Sequence, residues 1–380
     1  MNKRTIFIVP LLSVFPLTSC GGSYNYEDHL DDYVYTMKYH DDYNVLQLTD
    51  IHWSYDTSTS QSKTYLTKLL KEVDKHIKEE QGENAKIDLI ELTGDQFMLA
   101  NTYHVKTFID FFEEKANEYG FMYTSIWGNH DRHALYNPNW LNKKFKSAPH
   151  SIYIENEDNL YGRSNFVINL TTDGSKEGAT KWQLANLDSG ASFSETAISP
   201  FRDYDYIRED QVNWWKLEHD KVGKDVPTIA YYHIPQQDNL KVWNQIHNEN
   251  ATYKHKFFKL EGFADNGNER YASSFIDTGR DNGLKAAFMG HAHNVDWTVD
   301  YNGVVIGLGV KTGPELYYAH IDPEDKTPEL QEGLKSVGIT EKFDLIGASL
   351  VTISNDTEFE LEHLYYNERA NEDFVRWVKW

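Results

Sequence analysis

Five apolar runs in this chain each end in residues able to hold a metal ion. Asn44–Thr49 leads into Asp50-Ile51-His52, and Ile87–Thr93 leads into Gly94-Asp95. Phe121–Trp127 leads into Gly128-Asn129-His130-Asp131. Pro227–Tyr232 ends at His233, and Leu284–Met289 leads into Gly290-His291-Ala292-His293. Mixed carboxylate, amide and imidazole donors suit divalent Mn, Fe or Zn. Asp50, His52, Asp95, Asn129, His233, His291 and His293 give seven such side chains, too many for one ion. Two ions sharing one bridging carboxylate use all seven at four apiece. Such a pair, typically about 3.5–4 Å apart, clamps the attacking and leaving oxygens of a phosphoryl displacement. Any one of these Asp or Asn residues alone reads as turn or capping chemistry after a strand. The ordered set carries the inference.

The elements that must position these residues alternate along the chain. Residues 44–49, 87–93 and 121–127 read as buried strands. Leu66, Leu69, Leu70, Val73 and Ile77 mark a helix over 61–80. Val105, Phe108, Ile109, Phe112 and Ala116 mark a second, closed by Gly120. This βαβαβ order predicts parallel neighbours with helices on the sheet faces. Residues 150–189 are more antiparallel in character. A helix follows at about 208–220, then strands at 227–233, 284–290, 295–301 and 303–309, and a closing hairpin over 348–366. Ligands of open α/β sheets bind outside the carboxyl ends of strands. In extended backbone, side chains at i and i+2 point the same way. Asp50 with His52, and His291 with His293, are therefore each expected to act as a pair.

The ordered motifs D-x-H, G-D, G-N-H-D, H and G-H-x-H resemble the calcineurin-like metallophosphoesterase family. The resemblance runs from about Tyr43 to about Asn367. It implies an α/β fold, a four-layer α/β/β/α sandwich of two mixed sheets flanked by helices. Gly128–Arg132, His233-Ile234-Pro235 and the pair Gln211 and Trp214 are similar to the branch related to purple acid phosphatases. That branch carries a Tyr ligand three residues after the bridging Asp, where this chain has Met98, and a Gly where this chain has His52. His52 is expected to supply the replacement ligand, without the purple colour.

By resemblance, Asp50, His52 and His293 hold the first metal, Asn129, His233 and His291 the second, and Asp95 bridges them. A metal-bound hydroxide then attacks phosphorus in line. His130 is similar to the family's general acid or transition-state stabiliser, and Asp131 is expected to fix its tautomer. Arg132 is expected either to grip substrate phosphate or to form a salt bridge. Loops 54–62, 134–150, 190–205 and 250–282 are expected to set specificity.

Composition narrows the context. The chain has 380 residues, 40% of them hydrophobic, enough for a sizeable core. Against 37 basic residues stand 59 acidic ones, a net charge of −22, which argues against a nucleic-acid-binding module. The single cysteine, Cys20, excludes an intrachain disulfide and a Cys-based zinc site. Lys3 and Arg4 precede the apolar run Ile6–Leu17, too short for a span of about 20 residues and suited to a signal peptide. Leu17-Thr18-Ser19-Cys20-Gly21 resembles the lipobox of bacterial lipoproteins. That resemblance implies a signal peptide over 1–19, acylation of Cys20, and export to the outer face of a bacterial membrane. An ordinary signal peptide with an incidental Cys is the alternative. Residues 20–42 read as tether and lead-in, 43–367 as the metallophosphoesterase domain, and 368–380 as a tail. The expected function is a surface-anchored phosphoesterase acting on a small phosphorylated substrate with two divalent ions. Phosphomonoesterase activity is favoured, with a phosphodiesterase or nucleotidase as the alternative. A non-catalytic surface binding lipoprotein is the contrasting reading.

Overall fold

The computed structural model describes residues 32–133, 138–157, 159–193, 203–248, 255–259, 273–369 and 372–380. Two mixed sheets dominate it. In chain order, β1 (Val34–Lys38), β2 (Tyr43–Leu48), β3 (Leu89–Thr93) and β4 (Met122–Ile126) open the fold. Between them lie helices α1 (Thr59–Gln81) and α2 (Thr102–Tyr119). β2, β3 and β4 lie side by side and parallel, as the βαβαβ pattern predicts. Strand Gly347–Ile353 pairs antiparallel with β2 on its other side and continues into Phe359–Arg369. Strand Glu372–Lys379 pairs with Phe359–Arg369 at one edge, and Ser151–Ile152 pairs with β4 at the other, which completes this seven-stranded sheet. Residues assigned to a tail are thus a strand, and the sheet extends beyond residue 367.

The second sheet has eight strands. Its order runs β1, Phe166–Thr171, Thr180–Asn186, Thr228–Tyr231, Leu284–Met289, Val304–Leu308, Val295–Tyr301 and His255–Lys259. The lead-in segment therefore contributes β1, paired in parallel with Phe166–Thr171.

Alternation along each strand explains the layers. In β2 and β3, Val45 and Leu89 join the core shared with the second sheet, while Leu46 and Ile90 face the cluster under α1 and α2. Both faces are covered, so all six positions of β2 are buried, the polar Asn44 and Gln47 included. Leu66, Leu69, Leu70, Val73 and Ile77 put the apolar stripe of α1 on that face, and Val105, Phe108 and Phe112 do the same for α2. Ser58 and Gln61 form a capping box at the start of α1, and Gly120, in a left-handed conformation, ends α2. Helix Glu209–Val222 packs Trp214 and Trp215 into the core of the other sheet. These tryptophans are core residues, not a surface platform.

Candidate metal centre

Two groups of donors meet at the carboxyl ends of strands from both sheets. Asp50, His52, Asp95 and His293 form one, and Asp95, His233 and His291 the other. Within each group the donor atoms lie within 4.8 Å of one another, and Asp95 is common to both. Asn129 joins the second group, its Oδ1 3.1 Å from His233 Nε2. All seven side chains are buried. His52 Nε2 lies 3.1 Å from His293 Nε2, and His293 Nε2 lies 3.3 Å from Asp50 Oδ1. His233 Nε2 lies 3.5 Å from Asp95 Oδ2.

The donor chemistry fits divalent cations. Asp50 Oδ1 and His291 Nε2 are buried without a hydrogen-bond partner, a costly state unless a cation satisfies them. His233 Nδ1 donates to the Thr93 carbonyl at 2.9 Å, so in the neutral ring Nε2 carries the lone pair that faces the donors. Burial would raise both carboxyl groups, but the neighbouring imidazoles outweigh it and hold Asp50 and Asp95 well below the usual range. Burial lowers His52, and burial with His233 nearby lowers His291 to about 3. Ionised carboxylates and neutral imidazoles are the forms that bind metal. Burial opposes a charge on His233, yet Asp95 and Asp50 push it up to about 9, so this pocket attracts positive charge.

The backbone reaches this geometry differently from the expected extended pairs. Asp50, His52, Asp95 and His291 all have left-handed φ angles, 52°, 50°, 52° and 78°. Each strand ends in a sharp turn that swings its donor inward. His293 lies in the first group and His291 in the second. Gly128 and Gly290 make the close approach possible. A Cβ on Gly128 would collide with Asp95 Oδ1 and its backbone nitrogen, and one on Gly290 with Thr49 Oγ1 and Asp50 Oδ2.

His130 stands at the mouth. Its backbone N–H donates to Asp95 Oδ1 at 2.8 Å, and its Nε2 lies 3.9 Å from Asp95 Oδ2. The side chain is about a quarter exposed, unlike the seven donors. Asp131 was expected to orient this ring. Its carboxylate instead accepts the Phe97 N–H at 2.8 Å and the Gly128 N–H at 2.9 Å, so it braces the loops bearing Asp95 and Asn129. Arg132 forms an ion pair with the buried Asp188. Gln211 is structural: it donates to Asn165 at 2.7 Å and to the Asp188 carbonyl at 2.8 Å.

The segment 311–317 carries partners that the motifs do not announce. Lys311 is buried and donates through Nζ to the Asp50 carbonyl at 2.6 Å; burial lowers it to about 8. Tyr317 packs its ring 4.5 Å from that of His293, and Tyr204 packs edge-on at 4.3 Å from His291. The one sequence signal was a lysine and a glutamate, Lys311 and Glu315, just after the buried strand Val304–Leu308.

The family profile described as calcineurin-like phosphoesterase matches residues 43–295. The chain is 24% identical over 259 residues to the "Probable inactive purple acid phosphatase 28" of Arabidopsis thaliana. That match covers 62% of this chain and 60% of the plant protein, so the chain spans under two thirds of its relative's length. A dimetal phosphatase from Danio rerio superposes with a TM-score of 0.45 at 10% identity, over 85% of this chain and 99% of that one. With the profile matching more than half of its length, the chain belongs to the calcineurin-like phosphoesterase family.

Proposed function

We propose that the protein is a metal-dependent phosphoesterase with a preference for monoesters, carried on the outer face of a bacterial membrane. The observation that carries the chemistry is the pair of donor groups sharing Asp95. Asp50, His52 and His293 would hold one ion, Asn129, His233 and His291 the other, and Asp95 both. Bound there, two divalent ions supply charge neutralisation and an activated water at neutral pH. The protein's own residues do the rest. His130, partly exposed beside Asp95, donates a proton to the leaving oxygen or stabilises the equatorial charge. Asp131 holds the loops that set the donors. The complete donor set supports catalysis over a purely binding role. The motif resemblance of Gly128–Arg132 and His233-Ile234-Pro235 to the purple acid phosphatase branch motivates the monoester preference. The run Ile6–Leu17 before Cys20 supports export and anchoring, although both lie outside the described residues.

The test is reconstitution with Mn, Fe and Zn in turn, followed by elemental analysis and assay on matched phosphate mono- and diesters. Two ions per chain and faster monoester hydrolysis are expected. A protein that never holds more than one ion, or that releases no phosphate from any ester, overturns the reading.

A further inference from the structure

Large apolar side chains in solvent are few among the described residues: Tyr35, Tyr55, Leu99, Tyr103 and Tyr317. Single exposed apolar residues are ordinary. Three of the five follow a donor in sequence, and a fourth, Tyr317, packs on one. Tyr55 follows His52, and Leu99 and Tyr103 follow Asp95. Tyr317 is 52% exposed, yet its ring lies 4.5 Å from His293 with the planes 43° apart.

What sets Tyr317 apart is how firmly its segment is held. The Thr312 N–H donates to the Thr49 carbonyl at 2.7 Å, and Lys311 ties the segment to Asp50. Glu315 is buried and accepts the N–H groups of Asp56 at 3.0 Å and Thr57 at 3.1 Å, and the Ser62 hydroxyl at 2.7 Å. The Leu316 N–H donates to Asp56 Oδ2 at 3.1 Å. Leu316 itself takes a left-handed φ of 67°, unfavourable for a branched apolar residue. The chain thus fixes a strained turn that holds an aromatic ring at the solvent edge of a donor imidazole.

We infer that Tyr317 is a specificity-determining residue that packs its solvent-facing surface against a planar aromatic group on the leaving alcohol. This rests on the phosphoesterase reading of the same site. The matching substrates are phosphate monoesters of nucleosides or of other alcohols bearing an aromatic ring. Stacking is sequence-tolerant because every such group has a π face.

Adenosine 5′-monophosphate and ribose 5-phosphate share their leaving oxygen and differ by the base, so they isolate this contact. Affinities of their non-hydrolysable methylene phosphonate isosteres are measured by calorimetry on the metal-loaded protein. The expected result is tighter binding of the adenosine isostere by about five- to tenfold. Tyr317→Phe should keep that ratio. Tyr317→Leu should bring it to unity, the ratio cancelling any loss common to both isosteres through the ring's contact with His293. Equal affinities in the wild type, or an unchanged ratio in Tyr317→Leu, overturn the inference. Phosphate release from the two natural esters is scored separately. Its absence overturns the phosphoesterase reading, while the affinity ratio still decides Tyr317.

Discussion

Four donor residues, Asp50, His52, Asp95 and His291, occupy left-handed backbone. For residues other than glycine this costs on the order of 1–3 kcal/mol each and persists only where the surroundings impose it. Here they do: the Asp50 N–H donates to the Gly94 carbonyl and the His52 N–H to the Asp95 carbonyl, both at 3.0 Å. Cross-links between β2 and β3 therefore fix the donors in place. Three substitutions separate the parts. Asp95→Asn should remove both ions together, because one carboxylate serves both groups; elemental analysis reads the loss. His130→Ala should keep both ions and lower turnover by about 10²–10⁴ on a poor leaving group, less on a nitrophenolate. Retained turnover on the poor leaving group, or a lost ion, would remove His130 from the acid role. Gly128→Ala places a methyl group against Asp95 and should cost about 1–3 kcal/mol through overpacking. It should lower the melting temperature and weaken metal binding at once. A variant with unchanged melting and full metal content would show that the cradle is looser than its geometry.

Elements differ in how much of themselves they print in the sequence. β2, β3, β4 and both helices between them were legible because each buries a periodic set of apolar residues, and the donors were legible because each follows such a strand. The left-handed turns were not, since Asp and His, though enriched at positive φ, adopt it too seldom for the residue type alone to mark it. The 311–317 segment was also illegible: Glu315 meets Thr57 and Ser62 from more than 250 residues away, and no short-range pattern signals that pairing. It makes a prediction about pH. Burial and the neighbouring Glu315 carboxylate raise Asp56 to about 6, while burial would raise Glu315 but is outweighed by the hydrogen bonds it accepts, foremost that from Asp56, which together hold it below its ordinary value. A raised carboxyl pKa favours the folded arrangement at low pH and loses that contribution as pH rises through the folded value. Below about 6 the pair shares a proton; above it, two carboxylates face each other. Protection of the Asp56, Thr57 and Leu316 amides, corrected for intrinsic exchange, should therefore fall between pH 5 and pH 7. Asp56→Asn removes one charge and should abolish that fall. A pH-independent protection in the wild type would mean the strap does not depend on the shared proton.

At the scale of the molecule, charge and anchoring are linked. A net charge of −22 gives the surface a field that repels an anionic bilayer over roughly a Debye length, about 8 Å at physiological ionic strength. Electrostatics thus offers no auxiliary attachment, and among the described residues no helix is long and apolar enough to cross a membrane. If the protein is held at a membrane, the acyl chains expected on Cys20 carry the whole attachment. Two chains suffice where one is marginal. Val34, the first residue of β1, lies fourteen positions after Cys20, so a fully extended tether keeps the start of β1 within about 50 Å of the lipid. These facts make the outcome of one substitution sharp. Cys20→Ala should shift the protein from the membrane fraction to the soluble fraction, or leave it unprocessed, with no salt-sensitive residue left behind. Activity per molecule on a soluble ester should stay the same, because every donor lies between Asp50 and His293, on strand-end turns distant in sequence from Cys20. Fractionation at low and high salt with an immunoblot reads the first expectation, and a specific-activity assay the second. Processed protein that stays in the membrane fraction after Cys20→Ala would show that attachment does not run through this thiol.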